Sequence, residues 1–221
     1  HMIFGKAYAL VPSYFGRELA FPRAPGVQFP LVVGGTLGFV AVSLGSEPGG
    51  LGTASAALWS LGVAVFAGTL LRTIGGAFLE GETGTGDHNA ERRPVDRLAN
   101  AFVPVALLYL LVGTYETAAL YGSLPPLFDG SPAQASHLLA AETGALLVVA
   151  LGFRLLPRFL GVHPSIWAAR FVLPTAAVGP ALIAAGFRAP RSLPIGAVVE
   201  DASACLFAAV VFRTARRSDR R

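Results

Sequence analysis

The sequence is poor in charged residues and in cysteine, and each shortage excludes a class of protein. Only 14% of its 221 residues are charged, whereas soluble globular proteins have about 25%, so the composition is not that of a soluble domain. The single cysteine, Cys205, can form no disulfide within the chain and belongs to no Cys-x-x-Cys metal pair. It lies in an apolar run, where we expect a packed small side chain. Phosphate-binding glycine loops, nucleophile elbows, zinc spacings and dinucleotide fingerprints are also missing from the sequence.

Long apolar runs dominate the chain instead. Runs of about 20 residues with almost no charge are typical of helices that span a bilayer. They lie at 27–46, 52–73, 98–120, 135–157, 165–187 and 193–213, with a shorter run at 1–14. We therefore predict an all-α protein, a polytopic membrane helical bundle of about seven transmembrane helices that forms one domain over residues 1–221.

Two segments that lie 145 positions apart have similar sequences. Residues 8–17 read YALVPSYFGR, and residues 153–162 read FRLLPRFLGV. Further matches at nearly the same offset pair Pro30 with Pro174, Gly35 with Gly179, and 66–73 with 207–214. These matches predict a parallel internal repeat, with helices 1–3 matching helices 5–7. Its parts are repeat A at 1–77, a connector helix at 98–120 and repeat B at 132–214.

The arginines predict how the chain is oriented in the membrane. Alternate connections between the apolar runs, together with the C-terminal tail, carry 14 arginines, and the other connections carry only Arg188 and Arg191. Because Lys and Arg are concentrated in cytoplasmic loops, we expect a cell-membrane protein with its N-terminus outside and its C-terminus in the cytoplasm. The basic composition then reflects membrane topology, so the expected partner is the lipid bilayer and not nucleic acid.

Two segments depart from the regular pattern of apolar runs. Residues 78–97 form a long polar connection, and their Gly, Thr and acidic content predicts a mobile cytoplasmic loop. The first run has 11 residues before Pro12, about 17 Å of helix against a hydrocarbon core of about 30 Å. Either the outer half of this helix is missing, or His1 and Met2 are a vector remnant. A charged amine inside the bilayer is costly, which favours a truncated helix.

Four acidic residues fall within the predicted spans at a similar depth. Glu116, Glu142, Glu200 and Asp201 lie roughly 6–12 Å below the outer surface at 1.5 Å per residue, with His137 just above them. Ionisable groups inside a bilayer are candidates for function, so we predict a cation or proton site open to the outside, or a metal held by carboxylates and an imidazole. On an ideal α-helix His137 and Glu142 stand about 140° apart, which disfavours a ligand sphere that uses both.

Structural explanations of the same residues stay open. Glu116 could reach the interface, His137 could cap or anchor its helix, and Glu200 could hydrogen-bond to a neighbouring helix. Each explanation removes one member from the predicted site.

A histidine and a proline-glycine turn mark the two ends of the fifth apolar run. The run contains HLLAAETG from His137 and then GFRLLPRFLG from Gly152 to Gly161. In this it resembles helices of haem-copper oxidase subunit I relatives and of NnrS-like membrane proteins, where a histidine near the outer end opens a helix that finishes in a Leu-Pro-aromatic-Gly turn. Residues 1–5 with 12–17 look like a second such helix, and the resemblance covers about 50 of the 221 residues.

The resemblance implies haem or copper as a cofactor. By position, His137 and His1 are the residues that could serve as ligands. Those families use several intramembrane histidines, so an intact haem-copper centre is not expected here, and haem binding would need residues upstream of His1 or a partner.

Three functions follow from these observations. The first is a haem-copper-oxidase-like or NnrS-like membrane protein that binds haem or metal through His137. The second is a small transporter or channel that uses Glu116, Glu142 and Glu200. The third is a structural or assembly subunit, whose partner is a second copy of the chain or another membrane subunit.

Overall fold

The chain folds into a bundle of helices. The structure is a computed structural model that describes residues 2–45, 50–128, 130–162 and 165–218, with the backbone alone for Ala141, Glu142, Arg217 and Ser218. Within these ranges the chain has no strand. The long helices are α1 (Met2–Tyr14), α2 (Ala24–Ser43), α3 (Leu51–Leu79), α4 (Arg93–Tyr121), α5 (Pro132–Phe159), α6 (Ile166–Gly186) and α7 (Leu193–Ser218). The prediction of an all-α protein is confirmed.

Six of these helices, α2 to α7, are long and apolar enough to cross a membrane. Large apolar side chains such as Leu37, Phe171 and Val198 are exposed on them, as expected where lipid replaces water. The chain is therefore an integral, multi-pass membrane protein. The remaining helix, α1, has 13 residues, about 20 Å of helix, and is shorter than the hydrocarbon core.

Serine and proline begin two of the spanning helices. The side chain of Ser131 accepts a hydrogen bond from the amide of Gln134 at 3.2 Å, and Pro132 takes the first helical position of α5. Ser165 accepts from the amide of Ala168 at 3.3 Å and begins α6. Both arrangements satisfy amides that a helix N-terminus leaves without a partner.

α1 and α5 end in turns of the same geometry. In each turn a glycine, Gly16 or Gly161, has a φ of 63°, the left-handed conformation that ends many helices and favours glycine. In each turn an amide beyond the glycine donates to a proline carbonyl five residues earlier, from Arg17 to Pro12 and from Val162 to Pro157, both at 3.0 Å. The two similar sequences therefore fold into similar turns.

Close backbone contacts at glycine hold two helical hairpins together, α2 with α3 and α6 with α7. A Cβ atom at Gly35 would lie 2.8 Å from the backbone nitrogen of Trp59, and one at Gly179 would lie 2.7 Å from that of Glu200. Small residues allow helices to approach this closely in membranes. The two contacts join corresponding positions. Gly35 matches Gly179 in sequence, and Trp59 corresponds to Glu200 at the 141-residue offset that relates 66–73 to 207–214.

The two hairpins pack differently on the rest of the bundle. In the first, α3 contributes Phe66 and Leu70 to a core that it shares with α1 and α4. In the second, α6 contributes Val172 and Leu173 to a core with α4 and α5, and only 11% of the apolar stretch of α7 is buried, against 44% for α3. This shallow packing explains why Cys205 of α7 is exposed and is not the packed residue that the sequence predicts.

Candidate functional site

The helix ends form two sets of contacts, one at each end of the bundle. We call the end where α1, α3 and α5 finish and α4 begins the basic end. There the side-chain amide of Asn100 donates to the carbonyl of Tyr14 at 2.9 Å. At the opposite end, Thr53 donates to the carbonyl of Tyr121 at 2.6 Å.

Arg154 of α5 lies at the centre of the basic end, and only 1% of its side chain is exposed. Its guanidinium group donates to the side-chain oxygen of Asn100 and to the carbonyl of Thr83, and it lies 4.3 Å above the ring centroid of Tyr14. Asp96 Oδ1 is 3.9 Å from Arg154 Nε, which among the described residues has no hydrogen-bond partner. Burying a charge costs several kcal/mol unless partners compensate. Here neutral acceptors and an aromatic face provide most of the close contacts.

Asp96 connects Arg154 to a second arginine. Its Oδ2 accepts hydrogen bonds from Arg158 at 2.7 Å and from Thr85 at 2.5 Å. Asp96 and Asn100 are four residues apart on α4, so they lie on one face, and the two arginines have the same spacing on α5. The group comprises two cations and one carboxylate, so it carries excess positive charge. We call it the Arg154 network: Tyr14, Thr83, Thr85, Asp96, Asn100, Arg154 and Arg158.

The connection between α3 and α4, for which the sequence predicts a mobile loop, contacts this network through Thr83 and Thr85. It is also shorter than the predicted 78–97, because α3 continues to Leu79 and α4 begins at Arg93. Gly84 packs against the end of α1, where a Cβ atom would lie 2.7 Å from the carbonyl oxygen of Ser13. Arg17 pairs with Glu82 at 2.9 Å. The loop therefore forms a packed cover over the basic end.

Sequence reasoning did not identify this network. It assigned Arg154 and Arg158 to membrane topology, since arginines near helix ends commonly reach the interface, and it gave no role to Asp96 and Asn100. Two polar pairs with four-residue spacing, at facing ends of consecutive helices, are the signal that could have identified it.

Glu116, a predicted site residue, is 1% exposed on α4 near the opposite end. Its Oε1 accepts hydrogen bonds from the backbone amides of Leu127 at 2.7 Å and Phe128 at 3.3 Å. The carboxylate therefore holds the connection between α4 and α5 in place. Its Oε2 is buried and makes no hydrogen bond within the described part of the chain.

The other predicted site residues lie on α5 and α7. Glu200 is half-buried and Asp201 is exposed, both on α7, which packs mainly on α6. His137 is half-buried on α5, with its ring centroid 6.5 Å from that of Phe187. The side chain of Glu142 lies outside the described residues. Among the side chains that the structure describes, no three His, Cys, Asp or Glu residues come together as a metal site.

Part of α5 is not α-helical. Residues Leu138–Ala145 form a π-helix, in which Thr143 Oγ1 donates to the carbonyl of Leu138, five residues earlier, at 3.2 Å. π-Helical segments are rare in proteins, and those that occur are often found at functional sites. The 140° separation predicted for His137 and Glu142 assumes an α-helix, so that argument does not apply here.

A groove of about 240 Å³ lies at the opposite end between α2, α3, α4 and α5. Within it, the rings of Phe39 and Tyr121 are 5.0 Å apart, and the indole of Trp59 donates to Thr114 at 3.2 Å. Its lining includes Thr36, Phe39, Trp59, Thr117, Tyr121 and Ser136 and has no Asp, Glu, Lys or Arg among the described residues. The groove suits a neutral ligand with some aromatic or apolar surface.

No protein-family model, characterised protein or solved structure matches this chain. The resemblance to haem-copper and NnrS-like helices therefore stays a prediction that depends on the residues quoted above.

Proposed function

We propose that this protein is a membrane transporter in which the Arg154 network closes the basic end while the groove at the opposite end admits a neutral solute. The observation that carries the proposal is the burial of Arg154 among contacts from α1, the α3–α4 loop and α4. Charged side chains within membrane helices face the protein interior and mark transport pathways in many membrane proteins.

The contacts of the network are suited to opening. Arg154 is bound by separate chain segments, so opening requires those segments to move apart rather than any helix to unfold. Its closest carboxylate oxygen, on Asp96, is 3.9 Å away, and the network has one more cation than it has carboxylates. A small rearrangement can therefore hydrate Arg154 and release the loop through Thr83.

The proposal includes a parallel repeat and a defined orientation. The matching turns at Gly16 and Gly161 and the matching contacts at Gly35 and Gly179 support a duplicated scaffold, whose two copies would then have diverged in how they pack on α4. The arginine distribution supports a cell-membrane protein with its basic end in the cytoplasm. The groove then opens to the outside.

Cysteine accessibility tests the alternating exposure of the two ends. In a Cys205→Ser background, Ser136→Cys places a thiol in the groove and Ala99→Cys places one beneath the network, where Ala99 is 2% exposed. With the network intact, we expect a membrane-impermeant maleimide to label Ser136→Cys and to spare Ala99→Cys. Adding Arg154→Gln should expose Ala99→Cys at the basic end and reduce the labelling of Ser136→Cys.

The paired readout separates transport from local loosening. Increased labelling of Ala99→Cys with unchanged labelling of Ser136→Cys would mean that the basic end has only loosened. This result would contradict the proposal. Arg216→Gln is the matched control, because Arg216 lies at the basic end, stacks on Phe212 at 4.4 Å and is not part of the network. Arg154→Lys, which keeps the charge, should restore much of the original pattern.

Trp59 allows solute entry to be measured directly. The chain has two tryptophans, so Trp167→Phe leaves Trp59 as the one indole, located in the groove. Acrylamide, a neutral solute, should quench it efficiently, and glycerol or urea flux into proteoliposomes should exceed that of protein-free liposomes. A quenching-resistant Trp59 would instead indicate that a helix or lipid fills the groove.

The second candidate function is haem binding through His137. The favouring observation is that α5 carries His137 near one end and finishes in the Pro157–Gly161 turn, as the resembled helices do. The test is a Soret band in detergent-purified protein that disappears in His137→Ala. A band that survives this substitution would exclude His137 as the ligand.

A further inference from the structure

Three arginines line a second groove at the basic end, between α4 and α6. The groove has a volume of about 430 Å³, and its described lining contains no acidic residue. Its lining residues are Arg93, Pro94, Arg97, Leu98, Ala101, Ile166 and Arg170. The groove is separate from the Arg154 network, whose arginines are not part of the lining.

Two of these arginines have no acidic partner within the part of the chain that the structure describes. Arg93 pairs with Asp87, an exposed side chain beyond the groove, but Arg97 and Arg170 are exposed and form no ion pair among the described residues. Arg170 lies 5.2 Å from the ring of Trp167 instead. The groove therefore has a net positive charge that an anion would complement.

The position of the groove indicates which anion. Trp167 is 66% exposed, and exposed tryptophans are enriched at the membrane–water interface. Beyond Arg93 and Arg97 the lining becomes apolar along α4, where Leu98 and Ala101 lie toward the membrane-spanning part of the helix. A ligand that fits has a phosphate at the interface and a hydrocarbon chain below it.

We infer that this groove binds an anionic glycerophospholipid, with its phosphate between Arg97 and Arg170 and an acyl chain along Leu98 and Ala101. Arginine is suited to this role because its planar donor groups bind two phosphate oxygens at once. Basic pockets between helices on the cytoplasmic side are known to bind lipid head groups in other membrane proteins. The inference is independent of whether the protein transports a solute.

Lipid competition in nanodiscs tests the site. We expect protein in mixed phosphatidylglycerol and phosphatidylcholine to retain phosphatidylglycerol preferentially, as measured by native mass spectrometry. Each arginine near a membrane surface contributes a factor of about five, so the pair gives a preference of about thirty-fold. The variant Arg97→Gln with Arg170→Gln should bring this preference close to one.

The opposite end of the protein supplies a matched control. Arg188→Gln with Arg191→Gln removes the same charge and should leave the preference unchanged. An equal loss in both double variants would mean that the lipid responds to overall charge, and the inference would be overturned. Arg97→Lys with Arg170→Lys keeps the charge and should keep part of the preference. This result would show that the double glutamine variant loses its preference because the charge is removed and not because the protein misfolds.

A substitution in the apolar part distinguishes a lipid from free phosphate. Ala101→Leu narrows the groove without changing its charge and should reduce phosphatidylglycerol retention. Inorganic phosphate at millimolar concentration should not displace the lipid. Full retention in Ala101→Leu together with displacement by phosphate would show a simple anion site and contradict the assignment to a lipid.

Discussion

The ring of Tyr14 faces the guanidinium group of Arg154 across the boundary between α1 and α5, with 4.3 Å between the guanidinium carbon and the ring centroid. The hydroxyl of Tyr14 is buried and forms no hydrogen bond within the described residues. The face of the ring, and not the hydroxyl, therefore makes the contact with the buried charge. This contact joins the C-terminal ends of α1 and α5.

We predict that Tyr14→Phe leaves stability nearly unchanged, whereas Tyr14→Leu lowers it by about 2 kcal/mol, the typical value of a desolvated cation–π contact. Unfolding in mixed detergent micelles measures both. Tyr8→Leu is the control, because this substitution removes an aromatic side chain from the same helix without affecting Arg154. The ring of Tyr8 packs on that of Phe66, with 5.1 Å between the ring centroids. An equal loss in both leucine variants would show that packing volume, and not the cation, accounts for the effect.

The loop over the basic end depends on Gly84, which has a φ of 58° and lies against the backbone of α1. We predict that Gly84→Ala destabilises the protein and exposes the basic end, because a Cβ atom would meet the carbonyl oxygen of Ser13 at 2.7 Å. Gly161→Ala is matched in backbone strain, with a φ of 63°, but has nothing within 4 Å of the added atom. Protease cleavage of the α3–α4 loop should rise in Gly84→Ala and not in Gly161→Ala.

The long apolar runs were sufficient to predict the helices, because a bilayer requires long uncharged segments and few other structures satisfy their backbone groups in lipid. The spans at 52–73 and 98–120 were predicted too short. Polar residues such as Arg72 and Arg97 mark the ends of the apolar runs, while the helices continue beyond them, to Leu79 in α3 and back to Arg93 in α4.

The candidate site was harder to predict, because its contacts form between distant segments. Arg154 and Asp96 are 58 positions apart, and neither has a motif that identifies its partner. Glu116 was selected for its depth in the membrane, but depth does not show that its acceptor atoms bind the amides of Leu127 and Phe128. Periodicity indicates which face of a helix is apolar, and it does not identify the partner of a polar residue.

The two hairpin glycines give a quantitative test of equivalence between the halves of the chain. Cβ atoms at Gly35 and Gly179 would meet backbone nitrogen atoms at 2.8 and 2.7 Å, so we predict that Gly35→Ala and Gly179→Ala each separate a hairpin and lower the unfolding temperature by similar amounts. Gly68→Ala is the control, since α3 is open at that position and alanine there favours a helix by up to about 1 kcal/mol. Strongly unequal losses would contradict equivalent hairpin contacts.

Glu116 distinguishes a structural carboxylate from an ion-binding one. Glu116→Gln keeps a side-chain oxygen that can accept from the amides of Leu127 and Phe128, so we predict a small change in stability. Glu116→Leu leaves both amides without an acceptor, and because each unsatisfied buried group costs about 1–3 kcal/mol, we predict a loss of about 2 kcal/mol or more. If Glu116 instead serves as a proton or cation site, Glu116→Gln should abolish ion-dependent flux in proteoliposomes at unchanged stability. Measuring flux and unfolding on the same two variants therefore assigns the carboxylate to the α4–α5 connection or to transport.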